Sequence, residues 1–363
     1  MSGKMTRLFS VIILAIIFIA LVLPLNTNVS RSENVTINYS FEKSQTSLYI
    51  VASMPSIAII VKDIVGNTCT VDSILPEAID PHSYQLTPSD VDKISQADLL
   101  VLANTEFLSI EASMVEHLKE NALYIDYANY SENGVIIETL PGVGQNFHGY
   151  WTYPANALAI AKTVYQVLVA LDPLNAQVYT QNFQMFENRL KALNDAIQRT
   201  INDYTLNNTG VVVAVPGAAY FAKMLQLSIK AMLVTGPNRF ANATEIAAIE
   251  EDISQGEIEY ILCPYIMRDT KPGQIGEQIS QETGIPVLYP RIFATHGFDS
   301  YVDFISFNLG TIEGQLIKEE SINQPTNGVS DVILFSTIAV LGLIAIFEGY
   351  LLFIYKKRLE EEA

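Results

Sequence analysis

Short apolar runs of strand length alternate along the chain with stretches whose apolar positions recur at helical spacing. The first run, in LYIVASMPSIAIIVKDIVG (48–66), ends at Ser53-Met54-Pro55 and passes into a helical pattern. Cys69–Leu75 predicts a second strand, followed by a turn and a helix over Pro88–Gln96. Ala97–Ala103 (ADLLVLA) and Leu123–Ile125 predict two more strands. The second half repeats the theme. Strands are expected at GVVVAV (210–215), Ile229–Val234, Ile258–Cys263 and Pro286–Leu288. Helices are expected over Ala218–Leu225, Glu245–Ser254 and Ser300–Leu316. Strands that alternate with helices imply parallel pairing. The expected fold class is α/β: two lobes of similar size, each with a mainly parallel sheet flanked by helices.

Between the lobes lies DPLNAQVYTQNFQMFENRLKALNDAIQRTINDY (172–204). Tyr179, Phe183, Phe186, Leu190, Leu193, Ile197, Ile201 and Tyr204 recur every three or four residues, which makes one continuous apolar stripe. Pro173 suits a first helical turn and Asp172 its cap. A helix of this length reaches both lobes and joins them as a backbone; a coiled-coil oligomer is the alternative.

The two ends read differently. Lys4 and Arg7 precede an apolar run from Val11 to Leu25, the pattern of a signal peptide or retained anchor. A second run, 332–355, is long enough for a transmembrane helix and is followed by Lys356, Lys357 and Arg358, which belong on the cytoplasmic side. The resulting segments are 1–26 (signal peptide or anchor), 27–46 (linker), 47–153 (N-terminal lobe), 154–205 (connecting helices, including the long one), 206–318 (C-terminal lobe), 319–331 (linker), 332–355 (transmembrane helix) and 356–363 (cytoplasmic tail). The main domain is thus expected at the cell surface, held by a single span. Sequons start at Asn28, Asn34, Asn38, Asn129, Asn207 and Asn242; three within 28–40 point to a glycosylated, exposed linker.

The formal charge of −18 argues against a nucleic-acid partner, which attracts basic patches. The first cysteine is Cys69, so none follows the N-terminal apolar run to carry a lipid. Cys69 and Cys263 fall in different halves and are expected to be buried separately rather than bridged.

The chemistry is concentrated in histidine. His82 lies in an Asp-Pro-His turn after a strand. His148 lies in NFHGYWTYPAN (146–156), a glycine- and aromatic-rich loop before a helix. His296 lies in RIFATHGFDSY (291–301), between the last strand and the last helix. Ligands of open α/β sheets bind beyond the carboxyl ends of the strands, and neutral imidazole is a common ligand of zinc and other divalent metals. His117, in the polar stretch EASMVEHLKEN, reads as a surface residue. Asp80, Asp299 and Asp303 are candidate supporting or capping carboxylates. H-E-x-x-H, G-x-S-x-G, Walker and C-x-x-C motifs do not occur, and no enzyme is expected.

Three stretches carry a family resemblance over roughly residues 47–318: ILPEAIDPHSYQLTPSDVDKISQADLLVLANTEF, HGYWTYPANALAIAKTVYQVLVALDPLNAQVY and VVVAVPGAAYFAKMLQL. The sequence resembles the metal-binding solute-binding proteins of ABC importers, the zinc and manganese receptors. The resemblance implies two α/β lobes bridged by one long helix, with a divalent metal between them. It implies that His82 and His148 are metal ligands. It also implies a histidine or glutamate where Val215 stands, and an aspartate near LYPRIF, where this chain has Pro290 and Arg291. His296 is the candidate replacement from the same loop.

The reading is a membrane-anchored receptor, with a monomeric ectodomain, that captures a divalent metal (Zn2+, or Mn2+) and delivers it to an ABC permease in the same membrane. Zinc is favoured because three imidazoles and a water form a tetrahedral site, whereas manganese prefers oxygen ligands. Two alternatives are a degenerate relative serving adhesion or an anionic ligand, and an extracellular metalloenzyme.

Overall fold

The apolar runs of the first lobe form a sheet buried on both faces. In β1 (Tyr49–Ala52), residues Ile50, Val51 and Ala52 are wholly inaccessible, as a central parallel strand requires. β1 lies between β2 (Thr70–Ser73) and β3 (Leu99–Val101), and β4 (Leu123–Ile125) extends the sheet from β3, all in parallel. The computed structural model describes residues 47–323 except Ala78, Asp80, Pro237, Asn238 and His296, and side chains as far as 317 apart from that of Thr235. The apolar runs at 11–25 and 332–355 and the three sequons in 28–40 lie outside the described residues.

Helix α1 (Pro55–Val65) starts at Pro55, whose missing N–H costs nothing at a first turn, and it buries Ile57, Ile60, Val61 and Ile64. Helix α2 (Pro88–Gln96) keeps the predicted boundaries because Thr87 and Asp90 form a reciprocal capping box. Helices α3 (Ser109–Glu116) and α4 (Tyr127–Glu132) complete the lobe. A two-stranded hairpin of β5 (Glu138–Leu140) and β6 (Gly144–Asn146), not foreseen from the sequence, precedes α5 (Pro154–Leu171). Its strands are short and polar and carry no alternating apolar signal.

The second lobe repeats the plan. β7 (Gly210–Val213) leads to α7 (Ala219–Met224) and β8 (Ser228–Met232). A small hairpin, β9 (Val234–Gly236) with β10 (Arg239–Phe240), precedes α8 (Ala243–Ser254). Then come β11 (Tyr260–Leu262), α9 (Lys271–Thr283), β12 (Val287–Leu288) and α10 (Tyr301–Asn323). The sheet order is β12-β11-β7-β8, parallel throughout. The predicted strand over 210–215 is assigned as far as Val213; the Ala214 N–H still bonds the Leu262 carbonyl at 2.9 Å, and Val215 precedes the 3-10 turn Pro216–Ala218.

The bridging helix is α6 (Ala176–Asp203), 28 residues and so about 42 Å long. A single 3-10 turn, Pro173–Asn175, stands where the sequence had placed its first turn. Asp172 does not cap the backbone there. Its carboxylate instead accepts from the Tyr179 hydroxyl (2.8 Å) and the Asn175 amide (2.7 Å), stapling the first turn through side chains. The stripe is buried at Tyr179, Phe186, Leu190, Leu193, Ile197 and Ile201. It packs against α1, α5 and α10; the larger apolar cluster includes residues of both lobes, and a smaller one around Val212, Ile249, Ile261 and Ile279 lies within the second lobe.

Polar contacts join α1, α6 and α10. Asp63, near the end of α1, accepts the Tyr301 N–H (2.8 Å) and the Ser300 hydroxyl (3.3 Å), satisfying the start of α10. Arg189 of α6 pairs with both Asp63 (3.3 Å) and Asp303 (3.0 Å). Burial pushes the Asp63 carboxyl up to about 6, against the pull of Tyr301, Ser300 and Arg189. The Ser56 hydroxyl accepts the Ala294 N–H at 2.8 Å, and the Tyr301 hydroxyl donates to the Thr152 carbonyl at 2.9 Å.

With a shared core, the lobes should unfold together. Denaturant unfolding followed by Trp151 fluorescence and by circular dichroism is expected to give coincident curves. Leu190→Ala should lower stability by about 2–5 kcal/mol in that single transition. Two separate transitions would refute the common core.

Candidate functional site

His82 lies in the turn that follows β2, exposed, immediately ahead of α2. Its loop is tied down by Tyr84, whose hydroxyl donates to Asp90 at 2.8 Å, the same carboxylate that closes the α2 capping box. His148 follows β6, the edge hairpin strand rather than a strand of the main sheet, and is half-buried. The residue after it, Gly149, has φ +72°, and a Cβ there would lie 2.8 Å from the Gly217 carbonyl oxygen. Only glycine meets both conditions. This close approach brings the His148 loop against the β7–α7 loop of the second lobe.

The two imidazoles, 66 positions apart in the chain, have ring centroids 5.6 Å apart with planes inclined at 52°. An ion about 2.0–2.1 Å from an imidazole nitrogen sits roughly 3 Å from that ring's centre, so two rings sharing an ion are up to about 6 Å apart. The observed separation suits a shared ion. Both rings abut Phe107 edge-on, at 5.4 Å from His82 and 4.8 Å from His148. Phe147 packs on Phe107, and Tyr127 on Phe147.

Among the described residues, no group of three or more His, Cys, Asp or Glu side chains forms a metal-sized cluster. His296 and Asp80 lie outside the described residues. The second lobe faces His148 with Gly217 and, behind it, Ile292: a Cβ on Gly217 would lie 3.8 Å from the His148 Cβ and 3.2 Å from Ile292 Cδ1. Gly217 is thus the residue of the β7–α7 loop that approaches His148, and the neighbouring Pro216 carbonyl accepts from Asn146. Trp151 ties its segment to the second lobe by donating to the Ile292 carbonyl at 3.2 Å.

Several sequence candidates have other partners. The Arg291 guanidinium lies over the Tyr265 ring (5.0 Å) and the Phe307 ring (5.3 Å). Asp299 is an exposed ion-pair partner of Lys62 at 3.0 Å, and Asp303 pairs with Arg189. His117 is exposed at the C-terminus of α3. Cys69 and Cys263 are both free thiols, the first half-buried beside the Tyr179 hydroxyl (3.3 Å), the second fully buried.

Three residues of the site gave no signal in the sequence. Asn146 is wholly buried and contacts His148 through backbone and ring. Phe107 supports both imidazoles. Glu111, in the first turn of α3, is wholly buried and accepts the N–H groups of Ala103 (2.8 Å) and Asn104 (2.6 Å). Asn104 in turn accepts from the N–H groups of Glu106 and Phe107. The carboxylate thus fixes the loop that carries Phe107. Burial pushes Glu111 up to about 7; the two N–H groups pull it down, and Asp126 adds a smaller upward push.

The family model described as ZnuA, zinc-uptake complex component A, periplasmic, matches residues 50–315. A curated relative, the manganese ABC transporter substrate-binding lipoprotein PsaA of Streptococcus anginosus, is 27% identical over 293 residues, covering 77% of this chain and 93% of that one. Among solved structures, the Cd-bound periplasmic metal-binding protein of Candidatus Liberibacter asiaticus is similar with a TM-score of 0.61 at 21% identity, covering 74% of this chain and 99% of that one. The Mn2+ complex of FpvC from Pseudomonas aeruginosa gives 0.62 at 19% identity, covering 75% and 99%. These structural likenesses establish the same fold.

Glu111 sets a pH dependence whose sign follows from linkage. Its folded value, about 7, lies above that of an unfolded chain, about 4.3, so the native state holds the extra proton between them. Its contribution to stability is therefore fullest below about pH 4 and is lost as pH rises through about 7. Glu111→Gln should flatten the fall in melting temperature between about pH 5 and pH 8 relative to the parent. Parallel curves for the two proteins would show that the carboxyl does not titrate in that window.

Proposed function

We propose, from the premise that the chain belongs to the zinc-uptake complex component A family, that it is a solute-binding receptor which takes a divalent metal between its lobes through His82 and His148. The observation that carries this reading is the pair of strand-end imidazoles with ring centres 5.6 Å apart. In this reading His296 is the third protein ligand, and the metal passes to an ABC permease in the same membrane. The curated relatives are named as substrate-binding components of such transporters. Zinc is the favoured cargo, because imidazole donors suit it and manganese prefers oxygen. Manganese is the second reading, supported by the relative's name. The receptor acts as a monomer.

The apolar run 332–355 with Lys356, Lys357 and Arg358 behind it supports a single membrane span with the lobes outside. Asn207 and Asn242 are exposed, as glycan acceptors must be. Protease added to intact cells should release a glycosylated fragment lacking the tail; a fully protected domain would overturn this topology.

Zinc titration calorimetry, with manganese as competitor, tests the cargo. Zinc should displace manganese. His82→Ala and His148→Ala should each weaken zinc binding by more than about 100-fold, beyond the usual effect of removing a supporting residue. His117→Ala should match the parent, and His296→Ala should weaken binding. Affinity should fall with acidification, since ligation requires unprotonated imidazole. Tight zinc binding retained by His82→Ala or His148→Ala would refute the site, and manganese displacing zinc would reverse the choice of metal.

A further inference from the structure

Asn146 occupies a place where each atom of its carboxamide is fixed by a backbone group. Its Oδ1 accepts the His148 N–H at 3.1 Å, and its Nδ2 donates to the Pro216 carbonyl at 2.9 Å. Turning the amide over would set its NH2 against an N–H and its oxygen against a carbonyl, so only one orientation is compatible with both neighbours. The residue is wholly buried, and water does not offer a substitute for either bond. The same Oδ1 lies 3.2 Å from Nδ1 of the His148 ring. An oxygen with no proton of its own faces that nitrogen, so the nitrogen must be the one that carries the proton.

We infer that Asn146 is a positioning residue that fixes His148 as the Nδ1–H tautomer, placing the ring's lone pair on Nε2, and at the same time couples that ring to the Pro216–Gly217 loop of the second lobe. The inference rests on the metal reading for its consequence, since a ligand nitrogen must present a lone pair. It rests on hydrogen-bond geometry alone for the tautomer. The backbone of Asn146 is held from the second lobe as well: the Tyr220 hydroxyl of α7 donates to its carbonyl at 2.6 Å and accepts the Glu138 N–H at 3.1 Å. Lys223, one helical turn on, pairs with Glu138 and lies over the Tyr153 ring. The β5–β6 hairpin is thereby docked on α7, and His148 is placed by contacts from both lobes. An amide suits this position better than a carboxylate. A carboxylate could accept from His148, yet it has no proton to offer Pro216 and would set an anionic oxygen against the carbonyl.

Nitrogen-15 NMR of the histidine rings in the full-length, metal-free protein reads the tautomer directly, at about pH 8, above the usual imidazole range near 6.5. A His148→Gln variant identifies the signals. The parent should show His148 protonated on Nδ1; protonation on Nε2 overturns the inference whatever the protein binds. Asn146→Leu should lose the Nδ1–H preference and weaken zinc binding by about 10–100-fold. Asn146→Asp should keep Nδ1–H but still bind zinc more weakly, because the link to Pro216 is lost. Parental tautomer and parental affinity in Asn146→Leu would refute the role. Should Asn146→Leu not fold, the parent's tautomer and the Asn146→Asp affinity decide the matter. An Nδ1–H ring in a protein that takes up no zinc would uphold the positioning and refute the metal reading instead.

Discussion

The apolar stripe of α6 is the constraint from which the rest of the architecture follows. A helix about 42 Å long with six buried apolar side chains along one face has to be covered over its whole length. The cover comes from three helices, α1, α5 and α10, with α1 touching both of the others. The larger apolar cluster holds this helix together with residues of both lobes, while a second, smaller cluster lies within the second lobe. The polar clamp of Asp63, Arg189 and Asp303 lies on α1, α6 and α10 and adds direction where hydrophobic packing alone is not directional. Tertiary packing thus does what a flexible linker would leave undone.

A frame of this kind places strand-end loops at defined distances. His82 arrives from the β2–α2 turn, held by the Tyr84–Asp90 contact, and His148 from the edge hairpin, held by Asn146 and by Tyr220 of the opposite lobe. Neither imidazole is positioned by its neighbours in sequence alone. Phe107 stands between the two loops, and its own loop is fixed by the buried Glu111 carboxylate. Contacts from both lobes converge on the His148 side, whereas His82 is exposed to solvent.

The elements with strong local signals were legible in the sequence. α2 was legible to the residue because a proline and a capping box mark its start, and β4 because its short run is sharply bounded. The α6 stripe was legible from spacing alone. The β5–β6 hairpin was not, since Glu138–Leu140 and Gly144–Asn146 are polar, short and stabilised by α7 far along the chain. Glu111 looked like any first-turn acid; its burial depends on where the β3 end and Asn104 lie. Asn146 looked like a loop residue, although its position two before His148 could have drawn notice, as Asp80 stands two before His82. The resemblance pointed to Val215; the approach of Gly217, two positions on, to the His148 loop depends on the tertiary docking of the lobes and left no mark in the sequence. The stacking of the Arg291 guanidinium on Tyr265 and Phe307 likewise depends on residues distant in the chain.

The central claim is that a braced, two-lobed frame presents a nearly preformed site, so that loading it requires little domain rotation. Receptors that close by hinge bending compact on binding. Small-angle X-ray scattering of the purified protein, metal-free and then zinc-saturated, measures this directly. The braced frame predicts the same radius of gyration in both states within error; a clear compaction on zinc binding would contradict it.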